Sequence, residues 1–259
     1  MQGLIKLQPK IDHELIIISD VHLIDDSDQR SRLLLQLLLN LDLKKLRSLV
    51  LLGDIFDFCI GASPYFQKKY AMFGEKLSAL SKEGVAVHFV EGNHEFILGD
   101  LPWGGVNFIR DEELIIKLSD GKTVSFIHGD CLHAPWHYRL YSTIIRSQLS
   151  KFCALRVPQK QLDKLALYIS SKSRDRSYAK RLDQEKLIAD FRAWMRSSPA
   201  DFAITGHFHI PFDIKLHEEK SRIFGLDSWD KPNCLAYKNG EFSRFFFDPS
   251  GEYKSVNLG

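Results

Sequence analysis

Five short segments of the sequence place carboxylate, imidazole or amide side chains directly after runs of apolar residues. They are SDVH (19–22), GDIFD (53–57), GNH (92–94), HGD (128–130) and GHFH (206–209). Carboxylates, imidazoles and an amide oxygen, without thiolates, suit a hard-to-borderline divalent cation such as Mn²⁺, Fe²⁺ or Zn²⁺. One such segment alone is typical of a turn or a helix cap. The ordered set of five favours a metal centre.

The number of candidate ligands indicates two metal ions rather than one. The five segments together offer more oxygen and nitrogen donors than a single tetrahedral site uses. A pair of divalent ions clamps a phosphoryl group and lowers the pKa of a bound water, so that hydroxide is available near neutral pH. The set therefore predicts a two-metal phosphoesterase. A scaffold that has lost catalysis is the non-enzymatic alternative, and it would be expected to lack ligands that are all present here.

The elements that must position these segments follow a strand–helix–strand pattern. Apolar runs at 14–20, 48–54 and 85–90 are typical of buried strands, and helical patterns occupy 29–47 and 65–82 between them. This alternation favours parallel strands with flanking helices. Ligands of such sheets bind beyond the carboxyl ends of the strands. If the strands share a sheet, the five polar segments converge on one place.

The rest of the sheet pattern comes from the second half of the chain. Residues 113–118 and 123–128 flank SDGK, a typical hairpin turn, and an apolar strand returns at 201–207. Four further strands are predicted to finish a second sheet, near 212–216, 222–226, 234–238 and 241–247.

The fold class predicted from these elements is α/β (α+β), a two-sheet sandwich flanked by helices. Residues 1–135 and 199–259 are predicted to form one core domain. Residues 136–198 read as helical with almost no strand signal, and we interpret them as a helical lid insertion. Long insertions of this kind are usually functional.

Charge is distributed unevenly between the predicted lid and the core. The whole chain carries +2, whereas 136–198 contains fourteen Lys and Arg against five Asp and Glu, which is +9 and leaves −7 elsewhere. The segment YRLYSTIIRSQLSKFCALRV (138–157) mixes large apolar residues with spaced cations, a pattern suited to an anionic membrane surface. A solvated basic helix bundle with its own apolar core explains the same composition.

The cysteines and the N-terminus indicate the compartment. The four cysteines show no C-x-x-C spacing, which argues against a thiolate metal site and a disulfide framework and fits a reducing cytosol. The first ten residues lack the apolar core of a signal peptide. The longest apolar cluster, 33–43, is too short to span a bilayer. We expect a cytoplasmic protein, associated peripherally with the inner membrane.

The ordered motifs D-x-H, G-D-x-x-D, G-N-H-E, H-G-D and G-H-x-H resemble the calcineurin-like metallophosphoesterase superfamily over residues 14–210. The resemblance implies a metallophosphoesterase sandwich with two ions, most often Mn²⁺, with Fe²⁺ or Zn²⁺ as alternatives. It implies that Asp54 bridges the two ions. The implied ligands are Asp20, His22, Asp54 and His209 for the first ion, and Asp54, Asn93, His128 and His207 for the second.

A closer resemblance is carried by SDVHL, LLGDIFDFCIG, GNHEFILG, HGD, GHFHIPF and a late LDSW. These motifs are similar to those of the UDP-2,3-diacylglucosamine diphosphatases, a family of bacterial hydrolases in lipid A biosynthesis. The similarity implies hydrolysis at the α-phosphorus of a UDP-activated glycolipid, giving UMP and 2,3-diacylglucosamine 1-phosphate. It implies work at an anionic inner-membrane surface, and no nucleic acid partner is expected. Another phosphoesterase activity, on nucleotides, nucleic acid or phosphoprotein, is the alternative.

Several residues are predicted to contact the substrate. The lid segment SRDRSYAK (173–180) resembles the segment of the family that does so, which implies Ser173, Ser177 and Lys180. Their offsets of four and seven lie on one helix face. The family more usually carries Asn at the position of Ser177. Asn93 and His207 are predicted to contact the substrate in addition to metal.

His94 and Asp57 are the predicted catalytic pair. His94 stands where the best-known members of the family carry Arg, and it is predicted to protonate the leaving oxygen or to stabilise charge on the phosphoryl oxygens, and not to ligate metal. Asp57 lies three residues after Asp54 and is predicted to orient His94 and keep it cationic, because a nearby carboxylate favours the charged imidazole. A plain turn acid is the alternative for Asp57.

Overall fold

Two stacked β-sheets with flanking helices form the core of the protein. A computed structural model describes residues 10–110, 113–132, 134, 136–158, 161, 162, 164, 168, 184–216, 221–248, 250 and 252–258. In chain order the elements are β1 (Leu15–Ile18), α1 (Gln29–Leu39), β2 (Ser48–Leu52), β3 (Cys59–Ile60), α2 (Pro64–Lys69), α3 (Ala71–Lys82), β4 (Ala86–Val90), β5 (Glu95–Phe96), β6 (Val106–Ile109), β7 (Leu114–Lys117), β8 (Thr123–Ile127), α4 (Trp136–Ile145), α5 (Gln148–Ala154), α6 (Gln184–Ser197), β9 (Phe202–Thr205), β10 (Phe212–Leu216), β11 (Ser221–Gly225), β12 (Asn233–Lys238), β13 (Glu241–Phe247) and β14 (Tyr253–Asn257).

The larger sheet has seven strands in the order β14-β13-β12-β1-β2-β4-β6. Strands β1, β2, β4 and β6 run parallel to one another, and β12, β13 and β14 continue the sheet beyond β1 in antiparallel pairs. The smaller sheet has the order β10-β11-β9-β8-β7, and the short strands β3 and β5 pair separately. This arrangement confirms the predicted α/β two-sheet fold class, and the β7–β8 pair confirms the predicted hairpin.

Burial on both faces explains why the central strands are apolar without alternation. Every residue of β1 and β2 is buried. Ile16 and Leu49 pack in a cluster that includes side chains of α1 and α3. Ile17 and Val50 pack in a second cluster with Phe126 of β8. The larger sheet therefore carries helices on one face and the smaller sheet on the other.

The prediction that the strands near 234–238 and 241–247 finish the second sheet is wrong. The structure places β12 and β13 in the larger sheet, because β12 pairs along β1 with Ala236 opposite Ile16. Only β10 and β11 join the smaller sheet. Apolar strands at the end of a chain fit either layer of a sandwich, so the sequence pattern alone does not assign them.

The five polar segments do not follow strands of one sheet. Three of them follow β1, β2 and β4 of the larger sheet, and two follow β8 and β9 of the smaller sheet. They still converge, because the two sheets pack face to face through a shared apolar cluster. The stacking of the two sheets therefore brings the five polar segments together, as a single shared sheet was expected to do.

Two predicted helices have different bounds in the structure. The helix predicted over 29–47 ends at Leu39, with Asn40 as its C-cap. The helix predicted over 65–82 is two helices, α2 and α3, which meet at Tyr70. The Tyr70 hydroxyl is buried and lies 3.2 Å from the backbone carbonyls of Leu23 and Phe58, so the break between the helices places a donor inside the core.

Helices α4, α5 and α6 lie within the segment predicted as a lid, residues 136–198. The division into a core and a lid stays a prediction, since part of that segment lies outside the described residues. Among the helices of the described ranges, none has both the length and the apolar composition that a membrane span requires.

Candidate metal centre

Most of the predicted ligands sit on strained backbone immediately after a strand. Asp20, His22, Asp54, His207 and His209 all have positive φ angles, between 52° and 65°. A left-handed backbone is uncommon for residues other than glycine and persists where the surrounding structure enforces it. At these five positions the left-handed backbone directs the side chain towards the other predicted ligands just after the strand ends. Such strain clusters at functional sites.

A first group of ligand atoms comes from Asp20, His22 and His209. One nitrogen or oxygen of each lies within 4.8 Å of the others. The His209 Nε2 lies 3.1 Å from Asp20 Oδ1 and 3.4 Å from His22 Nε2. Burial lowers the pKa of His22 to about 3, so this imidazole is neutral and offers a lone pair. Two ring nitrogens and a carboxylate oxygen facing one point form a suitable cation site.

A second group comes from Asp54, His128 and His207, again within 4.8 Å. The His128 Nε2 lies 3.4 Å from Asp54 Oδ2 and 3.2 Å from the Asn93 side-chain oxygen. The other ring nitrogen of His128, Nδ1, donates to the backbone carbonyl of Leu52 at 2.9 Å. That bond orients the ring and directs Nε2 into the site, as in many metal-ligating histidines.

Hydrogen bonds hold the two carboxylates in place. Asp20 accepts the backbone N–H of His207, at 3.1 Å from each oxygen, and the Ser19 hydroxyl at 2.6 Å. Asp54 Oδ1 accepts the backbone N–H of His94 at 3.0 Å. Each carboxylate thus ties the loop of another strand to its own. Ser19 is not among the predicted site residues, and its position next to Asp20 is the only feature of the sequence that indicates it.

His94 is buried and lies against both groups. Its Nδ1–H donates to the backbone carbonyl of Asp57 at 2.7 Å, and its Nε2 lies 3.9 Å from Asp54 Oδ2. A carboxylate oxygen of Asp57 also lies within 4.8 Å of a ring nitrogen of His94 and of one of His22. The structure thus brings the predicted catalytic pair together, and the main chain of Asp57 orients the ring.

The pKa values in the site are set by burial and by the contact of buried carboxylates with imidazole rings. Burial opposes ionisation of Asp54, but the His128 and His94 rings hold the pKa of this carboxyl well below its usual range. Burial likewise opposes charge on His128, but Asp54 outweighs it and raises the pKa of His128 to about 10. Burial, reinforced by the His128 charge, lowers the pKa of His207 to about 4. Without metal, one proton on His128 therefore balances Asp54.

These shifts predict how the stability of the metal-free protein depends on pH. Between about pH 4 and 6.5 an unfolded chain protonates His22 and His207 but the folded chain does not, so stability rises with pH. Between 6.5 and about 10 the folded chain keeps the His128 proton that the unfolded chain loses, so stability falls. The combined contribution of these three histidines to the free energy of unfolding, measured with denaturant in chelator, should be greatest near pH 6.5.

The same measurement with added divalent metal provides the control. Ligation requires a deprotonated His128, so bound metal should remove the decline above about pH 6.5. A metal-free stability that keeps rising between pH 6.5 and 10 would contradict the assigned His128 pKa.

Gly92 is required because the chain passes close to Asp54. A Cβ on Gly92 would lie 2.3 Å from Asp54 Oδ1 and 2.5 Å from its backbone nitrogen. We expect Gly92→Ala to displace the carboxylate, lower the melting temperature and weaken metal binding measured by calorimetry. Gly104→Ala is the matched control, because a Cβ there meets nothing within 4 Å. Equal metal affinity in the two variants would show that the close approach is unimportant.

The described residues bring together every predicted metal ligand, together with His94 and Asp57. The donor set, of carboxylate and amide oxygens and imidazole nitrogens in two neighbouring groups, fits two divalent ions. The predicted lid contacts Ser173, Ser177 and Lys180 lie outside the described residues.

Comparison with known proteins decides the family. The family model described as calcineurin-like phosphoesterase matches residues 13–211. The chain belongs to the calcineurin-like phosphoesterase family. It is accordingly a hydrolase of phosphoester bonds, and its family implies divalent metal ions, as the two ligand groups do.

The chain is similar over most of its length to proteins named UDP-2,3-diacylglucosamine hydrolase. The protein of that name from Blochmanniella pennsylvanica is 26% identical over 90% of this chain and 95% of its own length. The protein of that name from Neisseria meningitidis serogroup B is 31% identical over 74% of this chain and 80% of its own length. The protein from Aeromonas salmonicida is 27% identical over 94% of this chain and 99% of its own length. The similarity thus extends across the segment that carries α4, α5 and α6.

Proposed function

We propose that this phosphoesterase hydrolyses the diphosphate of UDP-2,3-diacylglucosamine, giving UMP and 2,3-diacylglucosamine 1-phosphate in lipid A biosynthesis. The observation that carries the proposal is similarity to hydrolases of that name over 90% and 94% of this chain, which includes the helical segment. Metal ligands alone would fit many phosphoesterases. Similarity across the helical segment favours a shared substrate, because insertions of this kind usually serve binding.

In this proposal two overlapping sets of side chains hold two divalent ions, with Mn²⁺ as the first candidate. When bound, such ions neutralise charge on the phosphoryl oxygens and lower the pKa of water towards neutrality. Asp54 contributes to both sets, and its low pKa keeps it ionised at all working pH values. The ligands are Asp20, His22, Asp54 and His209 in one set, and Asp54, Asn93, His128 and His207 in the other.

His94 is the proposed proton donor to the leaving phosphate oxygen. Its Nδ1–H is engaged by the Asp57 carbonyl, so its Nε2 faces the ligand groups. Fixing one ring nitrogen in this way determines which nitrogen exchanges the proton. Asn93 and His207 are proposed to contact the phosphoryl oxygens, and Ser173, Ser177 and Lys180 to contact the rest of the substrate.

A panel of substrates tests the proposed function. The purified protein with Mn²⁺ would be incubated with UDP-2,3-diacylglucosamine, UDP-glucose, bis(p-nitrophenyl) phosphate and single-stranded DNA. We expect UMP from the UDP-lipid at a kcat/KM well above that for UDP-glucose, because the acyl chains contribute binding. Cleavage of the DNA without cleavage of the UDP-lipid would favour a nuclease instead. Activity on UDP-glucose equal to that on the lipid would favour a general nucleotide hydrolase.

An exposed apolar stripe on α4 and α5 supports association with a membrane surface. Trp136, Leu140 and Ile144 recur at every fourth position of α4 and are 76%, 53% and 55% exposed. Leu149 and Phe152 of α5 are also exposed. Apolar residues on a strongly basic segment suit the interface of an anionic bilayer, which would also present a lipid substrate. We propose peripheral binding to the cytoplasmic face of the inner membrane.

Sedimentation with anionic vesicles tests the stripe. A Trp136→Ser, Leu140→Gln and Ile144→Gln variant should bind vesicles containing phosphatidylglycerol at least about tenfold more weakly, since three large apolar side chains leave the interface. Leu39→Gln, at an exposed position of α1, is the matched control and should bind like the natural protein. Undiminished binding by the triple variant, with an unchanged melting temperature, would remove α4 from the proposal.

A further inference from the structure

Arg146 connects helix α4 to the loop that carries Asn93 and His94. Its Nη2 donates to the backbone carbonyl of Gly92 at 2.9 Å, directly before Asn93. Its Nε lies 3.6 Å from Glu91 Oε2. The two charged side chains are only 3% and 2% exposed, so the pair is almost fully removed from water.

The partner of Arg146 holds the far end of the same loop. Glu91 Oε1 accepts the backbone N–H of Leu98 at 2.7 Å. The Arg146 guanidinium also lies over the Phe96 ring, 5.5 Å from its centroid. Arg146, directly after the last residue of α4, therefore contacts residues 91–98 at the start, in the middle and, through Glu91, at the end. Asn93 and His94 lie between these contacts.

A buried ion pair is weak evidence for stability, because removing both charges from water costs much of what their attraction returns. An apolar pair would hold α4 to the core without that cost. The Arg146 pair instead adds directed hydrogen bonds to one loop. A second ion pair nearby, between Lys151 of α5 and Asp100, has a distance of 2.5 Å, and each side chain is about one-third exposed, so water screens it.

We propose that Arg146 is a positioning residue for Asn93 and His94, so that α4 is part of the catalytic site and not a separate cover. A planar guanidinium bonded to a loop carbonyl fixes that loop in direction as well as distance. The proposal rests on phosphoester hydrolysis at the metal centre and does not depend on the UDP-lipid being the substrate.

Variants of both partners test this role in the full-length protein. Arg146→Met removes the charge and the bond to Gly92, Glu91→Gln removes the opposite charge, and a double variant removes both. Lys151→Met is the matched control, because it removes an exposed cation of α5 that pairs with the neighbouring Asp100. The measurements are melting temperature, Mn²⁺ affinity, hydrogen exchange of 91–98 without metal, and kcat and KM for an alkyl phosphodiester, whose leaving oxygen needs protonation.

We expect Arg146→Met to lower kcat by roughly 10–100-fold with little change in KM, since small displacements of catalytic groups cost that much. Exchange of the loop amides should accelerate by roughly tenfold, while exchange in β2 stays constant. The double variant should recover melting temperature, because no buried charge is left unpaired, but should not recover kcat. Lys151→Met should match the natural protein in all four measurements.

Two results would overturn the positioning role. One is a kcat within about twofold of the natural protein in Arg146→Met, whatever its melting temperature. The other is a double variant that recovers kcat together with stability, which would reduce the pair to a packing role. The exchange measurement uses neither metal nor substrate, so it distinguishes failure of this inference from failure of the proposed substrate.

Discussion

Replacing Asp54 with Ala should abolish both turnover and metal binding. Asp54 is buried between His128 and His94, and a low pKa keeps it anionic at the position where the proposed ligand sets would share it. Without it only one carboxylate, Asp20, remains among the proposed ligands, and the proposed bridge between the two sets is lost. We expect kcat/KM to fall by roughly 10⁴-fold or more, as for members of a catalytic unit. Metal analysis after dialysis should show that the bound Mn²⁺ is lost.

The charge balance of the site provides a second readout for Asp54→Ala. His128 owes its raised pKa to Asp54, so the variant should show a weaker decline in metal-free stability between about pH 6.5 and 10. Asp213→Ala removes an exposed carboxylate of β10 and should leave metal content and turnover unchanged. Normal metal content in Asp54→Ala would refute the bridging assignment.

Replacing His94 with Ala should slow hydrolysis without removing metal. The ring donates from Nδ1 to the Asp57 carbonyl and directs Nε2 towards the ligands. If Nε2 delivers the proton to the leaving oxygen, kcat should fall by roughly 10²–10⁴-fold. Mn²⁺ stoichiometry should stay at the natural value, because His94 belongs to neither proposed ligand set. Turnover and metal analysis on the same preparation check both parts.

The leaving group gives a sharper control for His94. A substrate that leaves as p-nitrophenolate needs little protonation, so His94→Ala should slow its hydrolysis much less than that of an alkyl phosphodiester. His88→Ala, on β4 and outside the site, should affect neither. An equal loss with both leaving groups would indicate that His94 stabilises charge or structure and does not donate a proton.

The clustering of the candidate ligands could be predicted from the sequence, because strand ends are readable signals. An apolar run that ends at a carboxylate, imidazole or amide side chain identifies a candidate ligand and places it at the end of a strand. Five such strand ends restrict the folds that can bring the candidates together. All seven predicted ligands meet in the structure. The left-handed backbone at Asp20 and Asp54 was not predictable, since ordinary residues at these positions carry no mark of positive φ.

Features set by tertiary packing were not predictable. Strands β12 and β13 are apolar enough for either sheet, and only pairing of Ala236 with Ile16 places them beside β1. Arg146 is one of many basic residues in its segment, and its burial against Glu91 depends on how α4 meets the core. The bond from His94 to the main chain of Asp57 likewise follows from loop geometry, whereas the sequence suggested the carboxylate.

Hydrolysis of UDP-2,3-diacylglucosamine in ¹⁸O-water tests the central claim most directly. The reaction would be run with Mn²⁺, with and without chelator, and the ¹⁸O content of both products would be measured by mass spectrometry. Attack of water at the α-phosphorus predicts one ¹⁸O atom in UMP, none in 2,3-diacylglucosamine 1-phosphate, and no products in chelator. Absence of UMP, label in the lipid phosphate, or UMP formation that chelator does not reduce would contradict the account.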